Sequence, residues 1–478
     1  MSDAIQFDNT YRRLPERFYQ TLDPTPVDSP ELIEINQNLA DTLGIKSEWL
    51  ASKPGIAILA GNEVPKGAEP IASVYAGHQF GNWNPRLGDG RAVLLGEVTT
   101  KENQRFDLQL KGSGPTLFSR GGDGRAPLGP VLREYIVSEA MFHLGIKTSR
   151  ALGAVRTGEM VMREETLPGA VLLRVASSHI RFGSFQYFAS IGDWEAVRLL
   201  ADHVIDRHYP EVRESSEPYL SLFKCITDRT AKLVTSWQAI GFIHGVMNTD
   251  NMLVCGETID YGPCAFLDTY HPETVFSSID VGGRYAYQNQ PGIAHWNLAA
   301  LAQCFAPLLS DNEEQGVELA KTALDEFPEI FYHYHRRAMA NKLGLSQAND
   351  STDELTRDLL STMADQKLDY TNTFTLLRQA LSDRTILPTA LENFYEGWND
   401  QIEDKTVALQ IMQSANPVIV PRNHIVEAVL SSAHQDDMEP FRAFNQALAN
   451  PFSDELINSK FAKPPIESEI VQQTFCGT

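Results

Sequence analysis

The sequence predicts an α+β protein in which a β-rich first part with one prominent helix precedes a mainly helical second part. Short β-rich runs separated by Gly, Asp and Asn turns fill about residues 64–114, and helical periodicity dominates from about residue 195 to about residue 450. Because the strands come first and the helices follow without regular alternation, the pattern favours α+β architecture over a doubly wound parallel sheet.

The first segment, residues 1–60, is predicted to form a helical extension. Ser29 is a suitable N-cap, Pro30 would occupy the first helical position, and apolar residues follow at a spacing of three to four. Gly44 would end this pattern. We therefore expect a helix over about residues 29–43.

The second segment, residues 61–190, is predicted to be a lobe built on an antiparallel sheet. The runs at 92–98 and 106–111 are apolar, β-rich and bounded by turn residues, which is typical of hairpin strands. The stretch 130–144 carries an apolar stripe at helical spacing, and 171–175 is a further strand candidate. This lobe should therefore combine hairpins with a single amphipathic helix.

The third segment, residues 191–450, is predicted to be a helical lobe. A loop is expected at 209–219, a helix at about 230–240 and a short hairpin-like stretch at about 252–267. Residues 451–478 would form a C-terminal tail.

Composition and charge exclude several classes of protein. Of 478 residues 42% are hydrophobic, and Gly and Pro are spread along the chain, which excludes disorder and collagen-like repeats. The formal net charge of -22 would repel polyphosphate backbones and acidic membrane surfaces. We therefore expect neither nucleic acid nor a membrane as partner.

Cysteine content and the lack of targeting signals indicate the compartment. Five cysteines without a CxxC pair are too few for a disulfide scaffold. Residues 1–27 have no apolar core, and polar residues interrupt the longest apolar run, 294–309, well before membrane-spanning length. We expect a cytoplasmic monomer.

A glycine-rich turn and a lysine suggest nucleotide binding. Gly88 and Gly90 lie directly before an apolar strand, where their backbone could approach a ligand closely. Lys111 ends the next strand, and protein kinases hold nucleotide phosphates with a glycine-rich turn, a strand and a lysine at about this separation. An ordinary hairpin turn and a solvated strand end remain the alternatives.

A glutamate on the following helix could hold that lysine in place. Glu134 lies on the predicted amphipathic helix, as does the lysine-binding glutamate of kinases. Glu139 is a rival for the same role, and an exposed helix glutamate is the alternative for either residue.

A second constellation gives the stronger signal. His244 and Asn251 keep the separation of the kinase H-x-D-x-x-x-x-N loop, and Asp260 begins an Asp-Tyr-Gly at the place of the metal-binding Asp-Phe-Gly. The kinase aspartate would fall at Val246, which cannot accept a proton. Asp250 is the carboxylate within this loop and could act as general base.

The charge distribution suggests deep phosphate binding. From Arg86 to Ser184 the chain has 14 Lys and Arg against 10 Asp and Glu, although the whole chain is strongly acidic. Guanidinium groups suit bidentate phosphate binding, and a surface patch is the alternative for any one of them. The arginines of this basic part that we consider for phosphate binding are Arg91, Arg120, Arg125, Arg174 and Arg181.

Six motifs together resemble the selenoprotein O family over nearly the whole chain. They are GHQFG (77–81), LGDGR (87–91), LKGSG (110–114), SRGGDGRA (119–126), HGVMNTDNM (244–252) and DYGP (260–263). The resemblance implies a protein-kinase-like fold that transfers AMP from ATP to Ser, Thr or Tyr hydroxyls of proteins. It also implies UMP transfer from UTP, and a nucleotide inverted relative to kinases.

The resemblance also implies roles for individual residues. Asp250 would accept the proton, Asn251 and Asp260 would hold Mg²⁺ or Mn²⁺, and Glu134 would pair with Lys111. The residues implied to bind ATP are Gly88, Gly90, Arg91, Lys111, Asp123, Gly124, Arg174, Arg181 and Asp260.

The C-terminal cysteine resembles the family's redox residue. Cys476 is third from the end, where the family has Sec or Cys. Some bacterial members have a second cysteine after Asp-Tyr-Gly, but residues 271–280 contain none. Cys264 or Cys304 could take that place, or Cys476 could be an exposed tail thiol.

Two further functions remain open from the residues alone. An atypical kinase could phosphorylate a protein or a small molecule with the same motifs. A nucleotide-binding pseudokinase is the third possibility, because no aspartate stands at position 246.

Overall fold

The computed structural model describes residues 5–475 and shows a mixed α/β protein with an antiparallel main sheet and many helices. The strands are β1 (Tyr19–Thr21), β2 (Glu31–Ile35), β3 (Ile71–Ser73), β4 (Gly77–Gln79), β5 (Asn82–Asn84), β6 (Ala92–Thr99), β7 (Arg105–Lys111), β8 (Ala126–Pro127), β9 (Arg150–Met162), β10 (Thr166–Ala176), β11 (Phe242–Ile243) and β12 (Ala265–Phe266).

The helices are concentrated in the second half of the chain. They are α1 (Gln37–Thr42), α2 (Ser47–Leu50), α3 (Lys53–Ala60), α4 (Leu128–His143), α5 (Phe182–Ser190), α6 (Trp194–His208), α7 (Pro218–Ala239), α8 (Gln290–Leu309), α9 (Glu313–Leu324), α10 (Phe327–Lys342), α11 (Asp350–Asp365), α12 (Tyr370–Ala380), α13 (Glu392–Asn399), α14 (Lys405–Ala415), α15 (Asn423–His434) and α16 (Glu439–Leu448).

The main sheet has the strand order β1-β3-β6-β7-β10-β9-β2, with β8 paired to β10, and every pairing is antiparallel. Both faces are covered, and neighbouring residues of β10 point to opposite faces, as strand geometry requires. Leu172 packs in the core shared with α4, whereas Leu173 packs in the core shared with α1, α2 and α3. Helices α15 and α16 return to pack on α4. The sheet is therefore buried on both sides.

The local signals of the β-rich part are confirmed. The predicted runs at 92–98 and 106–111 are the hairpin β6–β7, with Val93 opposite Leu110. The predicted helix over 130–144 is α4. The long strand β9, which forms a hairpin with β10, has no counterpart in the sequence prediction.

The predicted helix over residues 29–43 is wrong in its first half. Glu31–Ile35 is strand β2, which pairs with β9 at the sheet edge, and α1 begins only after Asn36. The Asn36 side chain caps that helix by accepting from Leu39 N at 3.0 Å. The apolar spacing of this stretch suits both a helix and a half-buried strand, and pairing with β9 decides between them. The N-terminal segment thus contributes both edge strands, β1 and β2.

The predicted hairpin at 252–267 is also wrong. Instead, Phe242 and Ile243 before the HGVMNTDN motif pair with Phe266 and Ala265 after the DYG motif. Two isolated bridges hold the chain between them, Arg181 with Leu253 and Thr148 with Thr258. The predicted helix at 230–240 is the end of α7, which begins earlier, inside the predicted loop at 209–219.

Within residues 5–475, no helix combines the length and apolar character needed to cross a membrane.

Candidate active site

A cavity of about 740 Å³ lies between the main sheet, α4 and the loops around β11 and β12. The cavity is lined by every residue in the described part of the chain for which the sequence predicted a nucleotide, metal or catalytic role. These residues are Gly88, Gly90, Arg91, Lys111, Asp123, Gly124, Glu134, Arg174, Arg181, Asp250, Asn251 and Asp260. Residues 244–251, which carry two of them, are called the catalytic loop below.

A buried ion network forms the floor of the cavity. Lys111 Nζ lies 2.6 Å from Glu134 Oε2 and 3.2 Å from Asp260 Oδ1. Arg174 donates to the other oxygen of Glu134 and also to Asp260 Oδ1. The glutamate bound to Lys111 is therefore Glu134, whereas its rival Glu139 binds Arg150 outside the cavity.

Burial and neighbouring charges set the protonation of this network. Burial acts to raise the pKa of Glu134 because it disfavours the charged carboxylate. The positive charges of Arg174 and Lys111 outweigh this effect of burial and hold the pKa of Glu134 below its usual range. The same guanidinium and ammonium groups hold the pKa of Asp260 well below its usual range despite burial. Burial and the nearby Arg174 lower the pKa of Lys111. Two anions and several cations therefore coexist out of bulk water.

Arg181 links the catalytic loop to Asp260. Its Nη1 donates to Asp260 Oδ2 at 3.0 Å and to the backbone carbonyl of Asp250 at 2.5 Å. The guanidinium stacks over Tyr75 at 4.8 Å from the ring centre, and the side chain is only 4% exposed. Arg181 is therefore an almost fully buried cation in the wall of the cavity.

Asp260 adopts an unusual backbone conformation. Its φ of 63° lies in the left-handed region, which non-glycine residues rarely occupy and which clusters at functional sites. Gly262 N donates to Asp260 O at 2.9 Å and closes the turn. The side chain is 24% exposed, so its carboxylate faces the cavity although three cations surround it.

Asp250 lies on the short 3-10 helix Thr249–Asn251 of the catalytic loop. Its Oδ2 accepts from Gln79 Nε2 at 3.1 Å, whereas its buried Oδ1 has no hydrogen-bond partner within residues 5–475. Burial raises the pKa of Asp250 to about 6, although Arg181 and Gln79 act to lower it. Asp250 is thus a buried carboxyl group with one oxygen that accepts no hydrogen bond from the described residues, and its pKa is close to neutrality.

Asn251 and Asp260 can supply oxygen ligands to a divalent cation. Asn251 Nδ2 donates to Val246 O at 3.0 Å, which leaves Oδ1 as the side-chain atom available to a ligand. In the described part of the chain, no three His, Cys, Asp or Glu side chains gather as a metal cluster. Two oxygen donors fit a cation such as Mg²⁺, which usually completes its shell with water and substrate phosphates.

The glycines of the predicted phosphate turns permit close backbone packing. Gly88 has φ 82°, and a Cβ there would lie 2.3 Å from the Phe118 ring. Gly124 has φ 65°, and a Cβ there would lie 2.1 Å from Gly114 O. Gly88 therefore lets the LGDGR turn pack on Phe118, and Gly124 lets the loop that follows Lys111 close on Gly114.

Not every predicted polar residue is free to face a ligand. Asp123 forms two hydrogen bonds with Arg163, at 2.9 and 3.0 Å. The Arg125 guanidinium donates to Thr25 O at 3.0 Å and to Pro26 O at 2.9 Å. Asp123 and Arg125 therefore have structural contacts that the sequence prediction did not contain.

Several residues of the cavity were not predicted as site residues. Asp89 is buried and accepts from Ser73 N at 2.9 Å, and Tyr75 and Gln79 contact Arg181 and Asp250. Asp89 belongs to the LGDGR motif and Gln79 to the GHQFG motif. The motifs indicated that these two segments matter, but they did not predict a role for either side chain.

The cysteine prediction is tested only in part. Cys476 lies outside the described residues. Cys264 and Cys304 are buried and form no disulfide with another described residue, and burial raises the pKa of their thiols to about 11 and about 12, respectively. The segment 271–280 does contact the C-terminal tail, because Thr474 pairs with Ser277 in an isolated parallel bridge.

Comparisons with known proteins agree with the motifs. The family model described as "Protein adenylyltransferase SelO" matches residues 2–449. Proteins named "Protein nucleotidyltransferase YdiU" from Rhodopseudomonas palustris (strain HaA2) and Bradyrhizobium sp. (strain ORS 278) are each 52% identical to the chain over 492 and 491 residues. The protein of that name from Methylorubrum extorquens (strain PA1) is 51% identical over 498 residues. All three alignments cover 100% of both chains.

Proposed function

The chain belongs to the protein adenylyltransferase SelO family and is a protein nucleotidyltransferase, and on this premise we propose its donor, its acceptor and the roles of its site residues. The donor is ATP, with UTP as a second donor. The acceptors are Ser, Thr or Tyr hydroxyls of proteins. The chain joins AMP to the hydroxyl and releases pyrophosphate.

The position of the cations carries this proposal. Arg174 and Arg181 are buried cations that line the cavity, and Asp250 lines it from the catalytic loop next to Arg181. Guanidinium groups suit bidentate hydrogen bonding to phosphate oxygens, and such charge-assisted bonds are stronger than neutral ones. A triphosphate with its β- and γ-phosphates among these arginines would present its α-phosphate to an acceptor beside Asp250. This is the inverted arrangement relative to kinases.

The lobe organisation is proposed to resemble that of protein kinases. Lys111 ends a sheet strand and pairs with Glu134 of α4, as the strand lysine and helix glutamate do in kinases. The catalytic loop and the DYG motif lie on the helical side, and β11 and β12 bring them together. Val246 replaces the kinase base, so the proton must pass to another group.

We assign that role to Asp250. The acceptor hydroxyl oxygen forms a bond to the α-phosphorus, the bond from that phosphorus to the bridging oxygen breaks, and pyrophosphate leaves. The hydroxyl proton passes to the Asp250 carboxylate, which lines the cavity. Lys111, Arg174 and Arg181 neutralise the phosphate charge, and Glu134 holds Lys111 in place. Asn251 and Asp260 would hold Mg²⁺ or Mn²⁺, which adds charge neutralisation at the phosphates.

Isotope position in ATP tests the proposal. Incubation of the chain and acceptor proteins with ATP labelled at the α-phosphate should place label on protein, whereas label at the γ-phosphate should appear in pyrophosphate. Labelled UTP should show whether UMP is also transferred. Asp260→Ala should abolish transfer, and Asp250→Ala should lower it by about 10²- to 10⁴-fold with nucleotide affinity retained. Transfer of the γ-label to protein would favour the atypical kinase, and no transfer at all would favour a pseudokinase.

A further inference from the structure

The hairpin β4–β5 lies against the catalytic loop but has no role in the proposed chemistry. Its two-residue turn, Phe80 and Gly81, has φ values of 51° and 82°, both in the left-handed region. Two such residues are typical of the tight turns that match the twist of a hairpin. The turn brings Gln79 opposite Asn82.

Two backbone N–H groups of this hairpin donate to the catalytic loop. His78 N donates to Thr249 Oγ1 at 2.7 Å, and Phe80 N donates to Asn248 Oδ1 at 3.0 Å. Asn248 Oδ1 also accepts from Tyr285 OH at 2.7 Å. The hairpin and the catalytic loop are therefore held at a defined distance on either side of Gln79.

Gln79 reaches the carboxylate assigned as the proton acceptor. Its Nε2 donates to Asp250 Oδ2 at 3.1 Å. On the same strand, a Cβ at Gly77 would lie 2.8 Å from Asp250 Oδ1, so only glycine leaves room for that oxygen. The hairpin thus binds one oxygen of Asp250 and packs Gly77 against the other.

We propose that Gln79 is a positioning residue for the transfer reaction, fixing the orientation of the Asp250 carboxylate through its hydrogen bond to Oδ2. The inference rests on the proposed function, in which the Asp250 carboxylate takes the proton as the hydroxyl oxygen bonds to the α-phosphorus and pyrophosphate leaves. A catalytic group must be held close to its productive geometry, and neighbouring hydrogen bonds supply that restraint. In this proposal Gln79 acts through Asp250 rather than on the nucleotide or the acceptor.

Three substitutions at one position separate positioning from packing. Gln79→Met keeps the length of the side chain and removes its polar atoms. Gln79→Glu keeps the shape but turns an acceptor oxygen towards Asp250. Gln79→Lys keeps an N–H donor of similar reach. Asn82→Ala, at an exposed position of the same hairpin, is the matched control.

The measurement is the rate of label transfer from α-labelled ATP to the proteins of a heat-treated cell extract, at varied ATP concentration. We expect kcat of Gln79→Met to fall about 10- to 100-fold, the equivalent of a lost hydrogen bond to a charged group, while KM for ATP is unchanged. Gln79→Glu should lose at least as much, Gln79→Lys should regain most of the rate, and Asn82→Ala should match the wild type.

Two results would overturn the inference. One is a wild-type kcat in Gln79→Met. The other is an equal loss in the Met, Glu and Lys variants with a parallel rise of KM, which would make Gln79 a packing residue. Asp250→Ala in the same assay separates this failure from failure of the proposed function. If Asp250→Ala keeps the wild-type rate, the base assignment itself is wrong. If it loses activity while the Gln79 variants keep theirs, the positioning role alone is wrong.

Discussion

Arg174 and Arg181 give the sharpest test of nucleotide orientation at the scale of single residues. If they bind the β- and γ-phosphates, Arg181→Ala should weaken ATP binding about 10- to 100-fold, the range for hydrogen bonds to charged groups. AMP lacks those phosphates, so its affinity should change little. Calorimetric titration with ATP and AMP measures both.

Arg181 also binds Asp260, and this contact provides the control for the experiment. Arg181→Lys keeps the positive charge beside Asp260 and should retain part of the ATP affinity. Equal losses for ATP and AMP in Arg181→Ala would contradict phosphate binding, because they would indicate a distorted cavity.

Lys342 should make the stability of the folded chain depend on pH. It is 2% exposed, its Nζ donates to Asn416 Oδ1 at 2.9 Å and lies 3.8 Å above the Phe374 ring, and burial lowers its pKa to about 7. Below pH 7 both folded and unfolded states bind the proton, so folding bears the full cost of burying the charge. Between pH 7 and the normal lysine pKa only the unfolded state stays protonated, so this cost falls as pH rises.

Lys342→Met removes that titration. The variant should therefore gain stability relative to the wild type near pH 6 to 7, and the difference should shrink by on the order of a few kcal/mol towards pH 9 to 10. In the variant, Asn416 Oδ1 loses its hydrogen-bond donor. This loss lowers the free energy of unfolding of the variant by about 1 to 3 kcal/mol at every pH. Urea unfolding of both chains across this pH range provides the comparison, and a difference independent of pH would contradict the buried-charge explanation.

At the scale of elements, the C-terminal tail holds the segment after the DYG motif. Thr474 N donates to Phe276 O at 2.7 Å, Ser278 N donates to Thr474 O at 3.0 Å, and Thr474 Oγ1 donates to Pro263 O at 2.6 Å. Pro263 lines the cavity, as does Ile279 beside the paired segment. The tail therefore reaches the candidate active site through hydrogen bonds that do not involve a cysteine.

Thr474→Ala should loosen this segment. The change leaves the buried Pro263 carbonyl without its donor, which costs about 1 to 3 kcal/mol and raises the population of a locally open state about 10-fold. Trypsin cleavage after Arg284, the next basic residue along the chain, should become faster by a similar factor. Thr474→Ser keeps the hydroxyl and should behave as the wild type, and equal cleavage rates in all three chains would contradict this role of the tail.

At the scale of the whole molecule, Arg133 joins the sheet side to the helical side. From α4 its Nε donates to Gly262 O at 3.0 Å, and its remaining nitrogens reach Cys264 O, Asn423 Oδ1 and Glu427 Oε1. One buried guanidinium thus connects α4, the loop after the DYG motif and α15.

Arg133→Met should destabilise the chain by about 2 to 4 kcal/mol, because buried carbonyls lose their donors and the link between the two sides is lost. Arg442→Met is the matched control, since Arg442 forms an exposed pair with Glu34 at 3.3 Å and such pairs contribute about 0 to 1 kcal/mol. Urea unfolding provides the comparison. Equal stability of the two variants would show that Arg133 does not couple the two sides.

The sequence by itself determined the elements whose signals are local. Turn residues around β6 and β7 and the apolar stripe of α4 depend on neighbours a few positions away, so periodicity sufficed to predict them. The order of Lys111, the catalytic loop and Asp260 along the chain could also be recognised from the sequence, because these motifs require particular residue types at particular spacings.

Only the tertiary structure decided which partners meet. It made Glu31–Ile35 a strand, because pairing with β9 outweighs local helix signals, and it chose Glu134 over Glu139 for Lys111. It also brought Gln79 to Asp250 from 171 residues away along the chain. Such contacts depend on how distant elements pack, and local periodicity carries no information about that packing.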